Sequence, residues 1–249
     1  MIVALQIGKG NSQGLPGKNI KPILGRPLME YPLMAAKNCD SIDKIFISTD
    51  SDDIGKIASK YDATRIYRPE DLSKSETLTE DVLIHALEVI RNKHGINPEI
   101  IVLLFCNVAT TTTLYLDQSI EILRNDSTLD SVFSVREYNM FSPIRARKLN
   151  KDGLIEPYVD LSQFENISSI RDDQETCYYL ELGIQVLRPN CIDNIWDGMP
   201  PAGWLGNKSY GLVTDGNFDV DAEWQFPVVE RWLRNKGFTD SSTPYDQKK

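Results

Sequence analysis

Apolar residues along this chain fall into short continuous runs separated by longer amphipathic stretches. The first run, Ile2–Ile7, reads IVALQI and ends at a glycine. Others follow at Lys44–Thr49, Glu99–Phe105 and Ser131–Val135. Such runs predict strands covered on both faces, since a half-exposed strand would alternate apolar and polar positions. Between them the apolar positions recur at helical spacing. They predict helices over Met29–Lys37, Asp52–Lys60, Thr79–Lys93 and Leu116–Arg124. In the third, Val82, Leu83, Ala86, Leu87 and Ile90 share one face. Strand and helix in alternation predict an α/β fold of three layers around a mostly parallel sheet.

The pattern breaks after Val135. Residues 138–176 mix basic, acidic and aromatic side chains with little periodicity, and Lys151-Asp152-Gly153 predicts a hairpin turn between Arg147–Leu149 and Leu154–Ile155. This stretch reads as an arm inserted into a single domain spanning 1–249. An arm that cannot bury its own apolar residues is expected to pack on a second subunit; a surface excursion of a monomer is the alternative. Core-like sequence returns at Gly183–Leu187, an extended segment is expected at Asn217–Asp221, and a helix over Ala222–Asn235 ends before Gly237. The polar tail from Thr239 is expected to fray.

At 249 residues, with 41% hydrophobic and 25% charged, the chain can bury a core without disulfides or a structural metal. Its formal charge of −9 argues against a nucleic-acid partner. A small anionic ligand needs only local donors and stays open. Cys39, Cys106, Cys177 and Cys191 lack C-x-x-C spacing and read as reduced thiols packed as small hydrophobes. Ile2–Ile7 lacks the basic flank of a secretory signal, and no run reaches membrane-spanning length. A cytoplasmic location without a membrane partner is the expectation.

Chemistry concentrates directly after the first strand. Gly8, Gly10, Gly14 and Gly17 sit in one loop with Lys9 and Lys18. Glycines let backbone amides approach a ligand, successive amides form an anion-binding concavity, and open α/β sheets bind ligands beyond the carboxyl ends of their strands. The loop is not a Walker A sequence, because Asn19 stands where Ser or Thr is required. Nor is it a dinucleotide fingerprint, because position 13 is Gln. A second feature is Asp219-Val220-Asp221. In an extended segment both carboxylates share a face and suit one Mg2+ ion, which takes oxygen ligands and bridges phosphates. His85, beside the apolar stripe of its helix, reads as structural. His94 suits a helix C-terminus. Trp196, Trp204, Trp224 and Trp232 read as packing residues, and Arg145, Arg147 and Lys148 as a solvated hairpin face or as reach toward a neighbouring subunit.

Taken together, these motifs resemble the acylneuraminate cytidylyltransferase family, with the CMP-Kdo synthetases as cousins. Lys9–Asn19 aligns without a gap with the family's R-G-G-S-K-G-x-P-x-K-N-like loop, Ile47–Asp52 with S-T-D-S, Arg68–Leu72 with R-P-x-x-L, and Asp219–Asp221 with the late D-I-D. The resemblance implies a Rossmann-like nucleotidyltransferase fold and a homodimer whose arm, around Ser142–Tyr158, crosses between subunits. It also implies transfer of CMP from CTP to the anomeric hydroxyl of a sialic-acid-like nonulosonate or related 2-keto acid sugar, releasing pyrophosphate. Residue by residue, it implies that Lys9, Lys18 and Asp221 carry catalysis. Gly8, Gly10, Asn11, Ser12, Gly14 and Asn19 would hold the nucleotide, Arg68 and Thr79 would line the nucleoside pocket, and Asn107 would offer an amide nearby. Asp219 and Asp221 would bind Mg2+.

Departures imply a divergent branch with an unusual acid sugar. Lys9 replaces an arginine and loses its planar fork. Gln13 removes a lysine charge, Phe105–Thr111 replaces Q-P-T-S-P-L-R, and Leu182 stands where the family has Asn. An enzyme of the same fold using another nucleotide or a sugar phosphate is one alternative. A catalytically weak sugar-nucleotide binding protein is another.

Overall fold

The strands are β1 (Ile2–Ile7), β2 (Pro22–Ile23), β3 (Arg26–Pro27), β4 (Lys44–Thr49), β5 (Thr64–Tyr67), β6 (Ile100–Phe105), β7 (Ser131–Glu137), β8 (Arg147–Leu149), β9 (Ile155–Pro157), β10 (Tyr178–Leu187) and β11 (Ser209–Val213). The helices are α1 (Glu30–Lys37), α2 (Asp52–Ser59), α3 (Thr79–His94), α4 (Thr113–Asn125), α5 (Asn190–Asp193) and α6 (Gln225–Asn235). The computed structural model describes the chain apart from residues 11–13, 166, 171–172, 174, 217 and 247–249 and the side chain of Met140. The chain divides into two compact units, Met1–Ser134 with Glu181–Lys249, and Val135–Leu180.

The main sheet runs in the order β11-β7-β10-β6-β1-β4-β5. β1 pairs in parallel with both β4 and β6, and β5 in parallel with β4. β10 departs from this and runs antiparallel to β6, Val186 opposite Val102. The continuous apolar runs have a structural cause. Ile2 and Ala4 of β1, Ile45 and Ile47 of β4 and Ile100, Val102 and Leu104 of β6 join one core cluster with α1, α2 and α4. The alternate residues Val3, Leu5, Phe46, Ile101 and Leu103 are equally buried, and Phe46 meets His94 of α3 edge-on at 5.0 Å. Helices therefore cover both faces, which makes three layers.

Capping decides where two helices begin. α4 starts at Thr113, ahead of the apolar periodicity, because the Thr112 hydroxyl accepts from Tyr115 N. α6 starts at Gln225 rather than Ala222. The Gln225 side-chain oxygen accepts from the backbone of Asp221 and Ala222, both at 2.7 Å, and its amide donates to Asp219 O. Those bonds hold the preceding residues in a turn. The described part of the tail, through Asp246, is tied down, contrary to expectation: Tyr245 packs edge-on against Phe238 at 5.9 Å, and its hydroxyl accepts from Thr113 N. Trp204 and Trp232 are buried and donate to Gln185 and to Asp215 O. Trp196 and Trp224 are exposed and do not pack as the sequence suggests. Leu182, within β10, has a φ of 52°, a left-handed backbone that a β-carbon disfavours by about 1–2 kcal/mol.

In the second unit, β8 and β9 form an antiparallel hairpin with Leu149 opposite Ile155, its turn at Lys151–Gly153. Arg147 donates to the carbonyls of Ile144 and Ala146, Arg145 donates to Ser169 O, and Lys148 pairs with Glu156.

Candidate active site

Parallel pairing brings the carboxyl ends of β1 and β6 side by side, Ile7 opposite Phe105. The loop leaving β1 is seamed to the end of β4. Gly8 N donates to Ser48 O at 3.2 Å, and Gly10 N donates to a carboxylate oxygen of Asp50 at 2.9 Å. Gly8 is required by crowding: a β-carbon there would lie 2.3 Å from Cys106 Sγ. Gly17 is required by conformation, since its φ of 69° starts the short helical turn of Lys18–Ile20. Asn19 is buried on that turn, and its amide donates to Lys9 O at 3.0 Å. Asn19 thus clamps the glycine loop from inside.

The facing wall comes from far along the chain. Phe218–Asp221 joins no strand or helix. It is stitched to the segment after β6 by Val220 N donating to Asn107 O at 3.0 Å and Phe218 N donating to Thr110 Oγ1 at 2.9 Å. Val220 is fully buried, which leaves the flanking carboxylates on the other side. Asn107 Nδ2 donates to Asp219, and Lys18 Nζ pairs with Asp221. The Lys18 side chain is 12% exposed and that of Asp221 66%. Burial, then the neighbouring Asp221 charge, pushes the Asp219 carboxyl up to about 6; Lys18 and Asn107 pull the other way and lose. Removal from water, more than the second carboxylate, is what disfavours the Asp219 charge.

Between these walls lies a cavity of about 280 Å³. Of the residues singled out from the sequence, Gly8, Lys9, Lys18, Asn19, Arg68, Thr79, Asn107 and Asp219 line it. Arg68 is held at its floor by Ser48, donating from Nε to Oγ at 3.3 Å and from a terminal nitrogen to the carbonyl at 2.7 Å. Asp221 reaches the site through Lys18. Gly10 and Gly14 lie off the lining, Gly10 on Asp50 and Gly14 beside Asp221, while Asn11 and Ser12 fall outside the described residues. Sequence reasoning missed Lys74 and Thr77 in the lining, and it missed Asp50 as the anchor of the loop. Lys74 and Thr77 lie in a polar connector with no periodicity. Asp50 carried a signal, as the carboxylate ending a strand adjacent to β1.

Other ionisable groups are poor candidates for the chemistry. Burial pushes the Cys106 thiol up to about 12, which keeps it protonated although it lines the cavity. All four cysteines are free thiols. His85 lies outside the lining, and burial pulls its pKa down.

The sequence profile described as Cytidylyltransferase matches residues 9–200. The chain belongs to that family, on an α/β fold whose glycine loop and late aspartates form one site. N-acylneuraminate cytidylyltransferase of Oncorhynchus mykiss is 26% identical over 252 residues, covering 98% of this chain and 52% of that protein. Post-translational flagellin modification protein B of Campylobacter coli is 27% identical over 246 residues, covering 92% of this chain and 93% of that one. A bifunctional pseudaminic acid cytidylyltransferase of Helicobacter pylori is 25% identical over 178 residues, 71% of this chain and 32% of that protein. This chain spans about half the length, or less, of the first curated relatives it matches. Among solved structures, CMP:2-keto-3-deoxy-manno-octonic acid synthetase complexed with CTP shares the fold, with a TM-score of 0.64 at 15% identity, covering 94% of this chain and 98% of that one.

Proposed function

We propose that this chain transfers CMP from CTP to the anomeric hydroxyl of a sialic-acid-like nonulosonate or related 2-keto acid sugar. The observation that carries the reading is the convergence of Lys9, Lys18 and Arg68 with Asp219 in one cavity at the strand ends. Cations there suit a polyphosphate, and a carboxylate pair beside them suits a metal-bridged one. The acceptor class is supported by the named N-acylneuraminate and pseudaminic acid cytidylyltransferases among the relatives.

In the proposed reaction the sugar oxygen attacks the α-phosphorus in line. The bond from that phosphorus to the bridging oxygen breaks, and pyrophosphate leaves with the electron pair. Positioning and charge neutralisation supply most of the rate. Lys18 exchanges Asp221 for phosphate oxygen, Lys9 approaches from the loop, and Asn19 fixes the loop backbone. The Asp219/Asp221 pair fits Mg2+: both groups are carboxylate oxygen donors, and they stand close enough for the Asp221 charge to act on Asp219. Asp219 and Asp221 would hold the ion, which would supply positive charge at the triphosphate and acidify a neighbouring hydroxyl.

The deciding experiment measures pyrophosphate release with each nucleoside triphosphate and a panel of nonulosonates, 2-keto acid sugars and hexose 1-phosphates. CTP with an acid sugar is the expected pair. Release only with another nucleotide or a sugar phosphate would overturn the reading, and tight CTP binding without turnover would point to a binding protein.

We also propose a homodimer in a reducing, cytoplasmic compartment, where the four free thiols are at home. Within Val135–Leu180, the facing hairpin residues Leu149 and Ile155 are 69% and 71% exposed, and Tyr158 and Ile170 are also exposed. Apolar surface of this kind supports burial against a second copy. Replacing Leu149 and Ile155 together by Glu is expected to convert a dimer to a monomer in sedimentation analysis. A parent that already sediments as a monomer refutes the dimer.

A further inference from the structure

Four cations line the cavity: Lys9, Lys18, Arg68 and Lys74. Two are committed. Lys18 is paired with Asp221, and Arg68 is bound to Ser48 with Asp50 acting on its charge. Among the described residues, Lys9 and Lys74 form no ion pair. They come from different walls, Lys9 from the glycine loop and Lys74 from the connector between β5 and α3.

The connector is a built wall. Leu72 N donates to Pro69 O, Ser73 Oγ donates to the same carbonyl at 2.9 Å, Thr77 Oγ1 donates to Asp71 O, and Thr77 N donates to Lys74 O itself. These bonds hold Lys74 at the cavity while leaving its ammonium free to move. Glu76, on the same connector, accepts from Ser75 Oγ at 2.8 Å. A ligand drawing on both Lys9 and Lys74 must present anionic oxygens across the cavity, as a polyphosphate does and a monophosphate does not.

We infer that Lys74 is a polyphosphate-binding residue that contacts the substrate from the connector wall, in addition to Lys9 on the glycine loop, and selects a nucleoside triphosphate over a monophosphate. The inference rests on the proposed nucleotide site. Its test uses the full chain with Mg2+ and three probes: CTP, CMP and inorganic tripolyphosphate. Lys74→Ala is expected to weaken CTP and tripolyphosphate about tenfold, the loss of one charge-assisted contact, and CMP less than about twofold. Lys74→Arg should recover most of the affinity, and KM for CTP should rise in Lys74→Ala with little change in kcat. Lys74 is exposed, so its variants should melt with the parent. Equal losses for CTP and CMP, or none, would overturn the inference. Should the parent bind tripolyphosphate but no nucleotide, the nucleotide reading fails while Lys74→Ala still reports on the polyphosphate contact.

Discussion

Asp219→Asn is expected to cut CMP transfer at least about a hundredfold while making the nucleotide-free protein more stable. The two effects have one cause. Asp219 is half-buried beside Asp221, and its carboxyl titrates near 6 in the folded protein against 3.8 ordinarily. A carboxyl pKa raised by folding means that the folded state binds the proton more tightly than the unfolded chain. Stability is then fullest below the ordinary carboxylate range, falls as pH rises toward 6, and stays reduced above it. Removing the charge at pH 7.5 should restore roughly 1–3 kcal/mol, or several degrees of Tm, and near pH 4 it should restore almost nothing. Asn keeps an oxygen for the Asn107 amide, so that contact survives. Thermal melts of parent and variant at the two pH values check the claim. A variant less stable than the parent at pH 7.5 would show that Asp219 serves the fold rather than the ligand. Mg2+ should raise the parent's Tm and leave the variant's nearly unchanged.

Much of this architecture was legible in the sequence for a definite reason. β1 and β4 are buried on both faces, so their apolar runs end where the strands end. β5 was not legible, because Ile66 is its single buried residue and TRIY has no pattern to read. The antiparallel direction of β10 could not be foreseen either, since an apolar run carries no arrow. The start of α6 turns on one amide, Gln225, reaching back to Asp219, Asp221 and Ala222. Within the site, legibility followed chemistry that clusters locally. Gly8, Lys9, Lys18 and Asn19 stand in one loop, and Asp219 with Asp221 in one tripeptide. Lys74, Thr77 and Asp50 join the site only through the fold. Leu182 shows the converse, a residue whose place in the pattern was visible while its left-handed backbone was not. Asn adopts that conformation at lower cost than Leu.

Gly8→Ala is expected to cost about 1–3 kcal/mol and to weaken CTP binding about tenfold or more. A β-carbon at Gly8 would sit 2.3 Å from Cys106 Sγ and 3.0 Å from its Cβ, distances that require something to move. Cys106 is buried on the turn that leaves β6 and lines the cavity, so its displacement would be felt in the site. Its neighbour Asn107 holds Asp219 and Val220, and Asn19 Nδ2, which clamps the loop, would be 3.5 Å from the new carbon. A shift at Gly8 therefore reaches both walls of the cavity. Cys106→Ala removes the sulfur that makes the closest contact, so the double variant should be more stable than the sum of the single effects predicts, by about 1 kcal/mol or more. Gly14→Ala is the control. Its new carbon would meet only Asp221 O, at 3.7 Å, an ordinary contact, and its stability should stay near the parent's. Denaturant melts and CTP titrations of the four variants and the parent decide the matter. If the Gly8 and Cys106 effects simply add, the sulfur is not what confines the loop, and the packing of Gly8 onto Cys106 does not shape the site.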